Sequence, residues 1–328
     1  MEHQIRFPHL GIVLKNVGDG INIGGFEIKY YGMIIATGFL LGLIVSYYAA
    51  KHENKFDPEL VFDYLITMII PAIVGARLYY VIFSWDYYKN HLSEIIQIRN
   101  GGLAIYGGVI AGAITLYIFC KKKHLSMLQF GDVAVKGLLV GQILGRWGNF
   151  FNREAFGSYT NSLFAMQIPT NFFIEHGRID EIVSNGLYDK ATYVVSGNEA
   201  ATFIQVHPTF LYESLWCAVL LIILVLYRKH KKYEGELFLL YLFGYGLGRV
   251  WIEGLRTDQL LLPGIGIPVS QLLAGALVIG TGIALLYLGR HHKNSPMHRS
   301  VTKYEPMPEK IKGKKPPKWN ERLFKNMK

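Results

Sequence analysis

The chain has 328 residues, 51% of them hydrophobic and 14% aromatic, with 35 glycines and a mean hydropathy of +0.23. So much apolar material gathered in long runs exceeds what one soluble core buries, which places the chain among membrane proteins. The net charge of +10 does not point to nucleic acid, because Lys and Arg cluster at the ends of apolar runs and in the tail. The only two cysteines, Cys120 and Cys217, lie in or beside apolar runs; they exclude a disulfide framework and read as small apolar filler.

Residues 1–29 are mixed and polar, and an extracytoplasmic N-terminal segment is expected there, with no cleavable signal peptide. Seven segments are long and apolar enough to cross a bilayer, near 30–49, 61–83, 102–120, 127–146, 208–227, 237–255 and 269–289. Between the fourth and fifth, residues 158–206 alternate short apolar runs with turn formers and predict a small folded head. The expected architecture is an all-α polytopic membrane protein with seven transmembrane helices. Its parts are 1–29; helices one to four with the loop after them, 30–157; the extracytoplasmic head, 158–206; helices five to seven, 207–289; and a basic, disordered tail, 290–328, containing Pro316-Pro317.

Charge orients the segments. Alternate loops holding Lys51, Lys55, Lys121 to Lys123, Arg228 to Lys232 and the tail carry 21 Lys and Arg, the other set only ten. The positive-inside rule then puts the N-terminus outside and the C-terminus in the cytoplasm. Glycines at four-residue spacing, Gly38 and Gly42, Gly108 and Gly112, and Gly137, Gly141 and Gly145, predict close helix contacts in lipid.

Ionisable residues within such segments are costly unless they are paired or face a wet cavity. On helix six Tyr245, Arg249 and Glu253 form one stripe at i, i+4 and i+8. With that helix running outward from Glu236, Arg249 lies roughly 20 Å along it. Arg146 on helix four, Tyr106 on helix three, Arg77 on helix two and Tyr30-Tyr31 on helix one fall at a similar outer level. A shared depth predicts one cavity near the outer leaflet, and arginines there suit the phosphate of a lipid headgroup. Asp132 and Lys136, i and i+4 on helix four, read as a structural pair, and His207 as an interfacial hydrogen-bonding group. No metal site and no cofactor is expected.

The run Gly145-Arg146-Trp147-Gly148-Asn149-Phe150-Phe151-Asn152-Arg153-Glu154-Ala155-Phe156-Gly157 resembles the signature of prolipoprotein diacylglyceryl transferases, G-R-x-G-N-F-x-N-x-E-x-x-G, at every fixed position. Further matches are Tyr30-Tyr31-Gly32, Gly101 to Gly108, His207-Pro208-Thr209-Phe210-Leu211-Tyr212-Glu213, and Gly244-Tyr245-Gly246 through Arg249 to Glu253. The resemblance covers roughly residues 5–290 and implies transfer of diacylglycerol from phosphatidylglycerol to the lipobox cysteine of a prolipoprotein signal peptide. It further implies a multi-pass protein of the bacterial cell membrane whose partners are that lipid, that peptide and the bilayer. At one position the chain departs: Tyr106 stands where many members carry a histidine, so a histidine base is not carried over.

On this reading Arg146 and Arg249 hold the phosphate, Asn149, Tyr31, Tyr245 and Gly157 line the substrate, and Glu154 and Glu253 fix the arginines. Tyr106 donates a hydrogen bond to the phosphate. The base remains open between Glu154, a tyrosinate and the substrate phosphate. The alternative class is an anionic-lipid transporter or flippase, which needs the same phosphate-lined cavity but is not supported by any inverted repeat in the seven segments.

Overall fold

A computed structural model describes residues 3–53, 56–98, 101–196, 199–262, 264 and 266–292. The tail beyond residue 292, with Pro316-Pro317, and Lys55 lie outside the described residues. The chain runs β1 (Ile5–Phe7), β2 (Ile12–Leu14), β3 (Gly20–Ile23), β4 (Phe26–Lys29), α1 (Tyr30–Glu53), α2 (Glu59–Phe83), α3 (Trp85–Tyr88), α4 (Ile105–Lys123) and α5 (Met127–Asn152). It continues through β5 (Met166–Pro169), α6 (Thr170–Glu175), α7 (Ile179–Val183), β6 (Thr192–Ser196), β7 (Glu199–Val206), α8 (Thr209–Tyr227), α9 (Glu236–Glu253) and α10 (Val269–His291).

Six helices are long and apolar enough to cross a membrane: α1, α2, α4, α5, α8 with its extension to His230, and α10. Their outer faces are lined by exposed apolar side chains such as Ile66, Ile70, Ile283 and Leu286, as a polytopic membrane protein requires. All 18 residues of α9 are needed to cross a membrane and they include Glu236, Arg249 and Glu253, whereas each of the six offers an 18-residue stretch with at most two charged side chains.

Helix α5 is the hub, packing against α1, α8 and α9. The expected small-residue contacts between α1 and α5 are present: a Cβ at Gly42 would sit 2.5 Å from the Gly137 carbonyl oxygen, and one at Gly38 would press on Leu144 and Gly141. Between α2 and α4 the close approach is made by Gly75 and Gly107 instead of Gly108 and Gly112. Ser126 caps α5, its hydroxyl accepting the Gln129 amide at 3.3 Å.

Asp132 and Lys136 do not pair with each other. Asp132, fully buried, accepts the backbone amides of Gly235 at 2.8 Å and Phe238 at 2.9 Å together with Lys231 at 2.9 Å, and so caps the first turn of α9 from a neighbouring helix. Lys136 pairs with Glu53 of α1. Both are structural, but they tie α5 to two different partners.

The head is larger than 158–206. Its five-stranded antiparallel sheet has the order β2-β1-β5-β7-β6, so the N-terminal strand closes the edge of β5, with Arg6 opposite Gln167. Ile5 and Phe7 alternate into a core with Ile168, Phe173, Ile204 and Val206. Phe150 at the end of α5 and Phe210 at the start of α8 belong to that same core, which seats the sheet on the ends of these helices.

Candidate active site

Because α5 continues six residues past Arg146, the first half of the signature is helical, and Arg146 and Asn149 stand one turn apart on one face. Opposite them Glu213 enters from the second turn of α8, its side chain only 4% exposed. Arg249 Nη1 donates to Glu213 Oε1 at 2.7 Å, and Arg146 Nη2 lies 2.6 Å from Oε2. The second contact is ionic without an aligned hydrogen bond, and Oε2 is otherwise buried without a donor. Arg249 Nη2 also donates to Glu253, one turn further along α9.

A third guanidinium adjoins this cluster. Arg256 lies 3.8 Å from Glu213 and 3.9 Å from Glu253, and Asp258 grips it at 2.9 and 2.6 Å. Arg146 is the most exposed of the three, at 21% against 15% for Arg249 and 14% for Arg256. Among the described residues its one ion pair leaves most of its five N–H donors uncommitted. Two guanidiniums from separate helices thus share one carboxylate, and one of them can still offer its fork to an anion.

The second half of the signature turns sharply. Arg153 and Ala155 take left-handed φ values of 48° and 55°, and Glu154 folds back so that Asn149 Nδ2 donates to its Oε1 at 2.8 Å. Gly157 is buried: a Cβ there would lie 2.7 Å from His207 Cβ and 2.9 Å from the Leu255 carbonyl. Its amide donates to His207 O at 2.9 Å, and the Ser158 amide to Leu255 O at 2.8 Å. The structure therefore puts Gly157 at a chain crossing and not on a surface open to substrate. His207, whose Nδ1 is 3.2 Å from the Tyr212 hydroxyl, has its pKa pushed below the usual imidazole value by burial.

Of the tyrosines, Tyr31 lays its ring on Gly148 beside Arg146 and Asn149, where a Cβ would come within 2.9 Å of it. Tyr245 stacks on Tyr241 with centroids 5.7 Å apart. Tyr106 does not meet the arginines among the described contacts; its hydroxyl pairs with Ser270 of α10 at 2.9 Å. Glu253 pairs with Arg249, whereas Glu154 engages Asn149 instead of an arginine.

Arg77 does not join the cluster. It is buried and donates to the carbonyls of Ile95 at 2.8 Å, Gly101 at 2.8 Å, Gly102 at 2.9 Å and Glu94 at 2.6 Å, with its guanidinium over the Tyr88 ring. A Cβ at Gly102, which has φ of 74°, would collide with that guanidinium. Depth alone had grouped Arg77 with the others; its direction binds it to the loop leading into α4.

Glu213 and Arg256 carry the cluster and were not singled out from the sequence. The signal for Glu213 was available, a carboxylate one turn into an apolar helix. Arg256 follows the end of α9, where an arginine is unremarked unless its direction is known.

Compared with known proteins, residues 20–288 match the family described as Prolipoprotein diacylglyceryl transferase. A Finegoldia magna protein named phosphatidylglycerol–prolipoprotein diacylglyceryl transferase is 40% identical over 259 residues, covering 79% of this chain and 90% of its own. Proteins of the same name from Listeria innocua and Streptococcus uberis are each 39% identical, over 85% of this chain and 91% and 97% of their own lengths. With the signature folded around paired arginines and a match over most of its length, the chain belongs to the prolipoprotein diacylglyceryl transferase family.

Proposed function

We propose that this chain transfers the diacylglyceryl group of phosphatidylglycerol to the lipobox cysteine of prolipoproteins, the first step of bacterial lipoprotein maturation. The observation that carries the reading is the convergence of Arg146 and Arg249 on Glu213 inside a family match. In the reaction the cysteine sulfur forms a bond to the glyceryl carbon and the carbon–oxygen bond to phosphate breaks. Glycerol phosphate leaves with one more negative charge than the lipid phosphate carried, and the thiol proton goes to a base. Arg146 and Arg249 offset the growing charge on the leaving phosphate, which is where electrostatic preorganisation acts most strongly. Asn149, Tyr31 and Tyr245 bound the headgroup. Glu154 has no cation partner among the described residues and serves as the base, with Asn149 orienting it.

The site lies at the end of the bundle that carries the head. The loop charges favour that end as extracytoplasmic, with α9 as a seventh span, the N-terminus outside and the C-terminus in the cytoplasm of a bacterial cell-membrane protein. The test mixes the purified full chain, phosphatidylglycerol and a lipobox peptide. Glycerol phosphate release with a matching mass gain on cysteine is expected; lipid movement between leaflets without that product would establish the transporter instead.

A further inference from the structure

Near the arginine cluster, where the head meets the bundle, lies a hollow. It is half-open, measures about 290 Å³ and is lined by Asp19, Lys29, Tyr31, Asn152, Phe172, His176 and Arg178. Its volume sits at the lower end of the range for small-molecule sites, roughly 300–1,000 Å³, which leaves room for a short polyol phosphate but not for acyl chains. Tyr31 and Asn152 connect it with the signature face of α5.

Its lining holds two permanent cations and one imidazole against one carboxylate. Lys29 donates to Asp19 at 2.8 Å and to Glu27 at 2.7 Å, which uses two of its three donors. Arg178 spends four contacts on Glu181 and on the carbonyls of Asn152 and Arg153, and one N–H remains. His176 stacks on Phe172 at 4.1 Å, gives Nδ1 to the Phe172 carbonyl at 2.8 Å, and turns Nε2 towards Asp19 at 3.7 Å. These anchored groups come from the β3–β4 hairpin, α6 and the loop after it, so the hollow is held open by the head.

We infer that this hollow binds a glycerol phosphate group. The inference takes its ligand from the proposed function: the reaction sheds such a group next to Tyr31, and it must pass to the aqueous side. The chemistry is the same whether the group is the free product or is still esterified in a lipid headgroup.

The test is calorimetric titration of glycerol phosphate, and separately of inorganic phosphate, into the full chain in nanodiscs of zwitterionic lipid. Two variants outside the arginine cluster should move in opposite directions. Lys29→Gln should weaken binding by about fivefold and Asp19→Asn should tighten it by a similar factor, the size expected for one screened charge contact on partly exposed groups. A purely structural Lys29–Asp19 pair would make both variants lose binding together, which would overturn the inference, as would no wild-type binding of glycerol phosphate at millimolar concentration. Repeating the titration in phosphatidylglycerol nanodiscs separates the sources: persistent binding assigns the site to free product, and competition by the lipid assigns it to a headgroup. The readout does not depend on turnover. A chain that binds glycerol phosphate with opposed variant shifts yet forms no thioether refutes the transferase reading and keeps the site, whereas an active enzyme without such binding refutes only the site.

Discussion

Replacing Glu213 by glutamine probes the cluster at its centre. The substitution keeps size and one acceptor oxygen but removes the charge that Arg146 and Arg249 share at 2.6 and 2.7 Å. Removing one partner of a buried ion pair costs about 3–5 kcal/mol. Here the guanidiniums keep 14–21% exposure and water relieves part of the imbalance. A loss of about 2–3 kcal/mol of orientation is therefore expected, corresponding to about a hundredfold in rate. The two kinetic constants should separate. With one anion gone, the KM for phosphatidylglycerol should hold or fall, while kcat should drop because the forks are no longer aimed. Release of glycerol phosphate from phosphatidylglycerol with a lipobox peptide reads both, and a melting curve in detergent confirms folding. A kcat within about threefold of wild type in a folded Glu213→Gln protein would refute the idea that this carboxylate positions the arginines.

Arg249→Lys keeps the charge but loses the two-armed contact with Glu213 and Glu253, so most activity should disappear; a near wild-type rate would reject fork geometry as the requirement. Arg77→Ala frees four carbonyl acceptors in the segment 94–102 and should make it sensitive to limited proteolysis, and an unchanged cleavage pattern would contradict the clamp. Tyr106→Phe removes the hydrogen bond to Ser270 and should cost about 1 kcal/mol of stability with activity retained to within a few fold; loss of turnover without loss of stability would return the hydroxyl to the phosphate. His207 has a folded pKa below its ordinary value, so the unfolded chain takes up the proton first. Its contribution is complete above pH about 6.5 and is lost as pH falls through that value towards the lower folded pKa. Melting temperatures from pH about 7.5 down to about 5 should fall less for His207→Gln than for wild type, and parallel curves would contradict the assignment.

Helix positions were legible because apolar runs of bilayer length have few other uses, and Gly38 and Gly42 announced the α1–α5 contact through spacing alone. Direction was not legible. Arg77 and Arg249 share a chemistry and an end of the bundle, yet one faces a loop of carbonyls and the other a carboxylate of the adjacent helix, a difference set by side-chain direction and packing. Asp132 misled for a related reason: its i+4 neighbour offers a lysine, but a buried helix start with unpaired amides is a stronger partner for a fully buried carboxylate. The head was read too small because β1 is three residues long, below the length at which alternation is detectable, and its pairing with β5 spans the whole first half of the bundle.

Under the proposed function, the charge balance of the arginine cluster explains why an anion site should be built around a carboxylate. Arg146, Arg249 and Arg256 face Glu213, Glu253 and Asp258, three charges of each sign. Two partly buried guanidiniums without a carboxylate would be costly to desolvate and would bind a departing dianion so firmly that release would limit turnover. With Glu213 between them the arginines are already oriented and already partly neutralised, so a singly charged lipid phosphate gains moderately. The gain grows as charge builds on the leaving oxygen and draws Arg146, the least committed of the three, further towards it. Stabilisation that increases along the reaction coordinate is what raises kcat, and it requires forks held at one end by protein. Under the proposed function, the carboxylate set against the substrate is the group that makes the arginines selective for the state in which the phosphate is leaving.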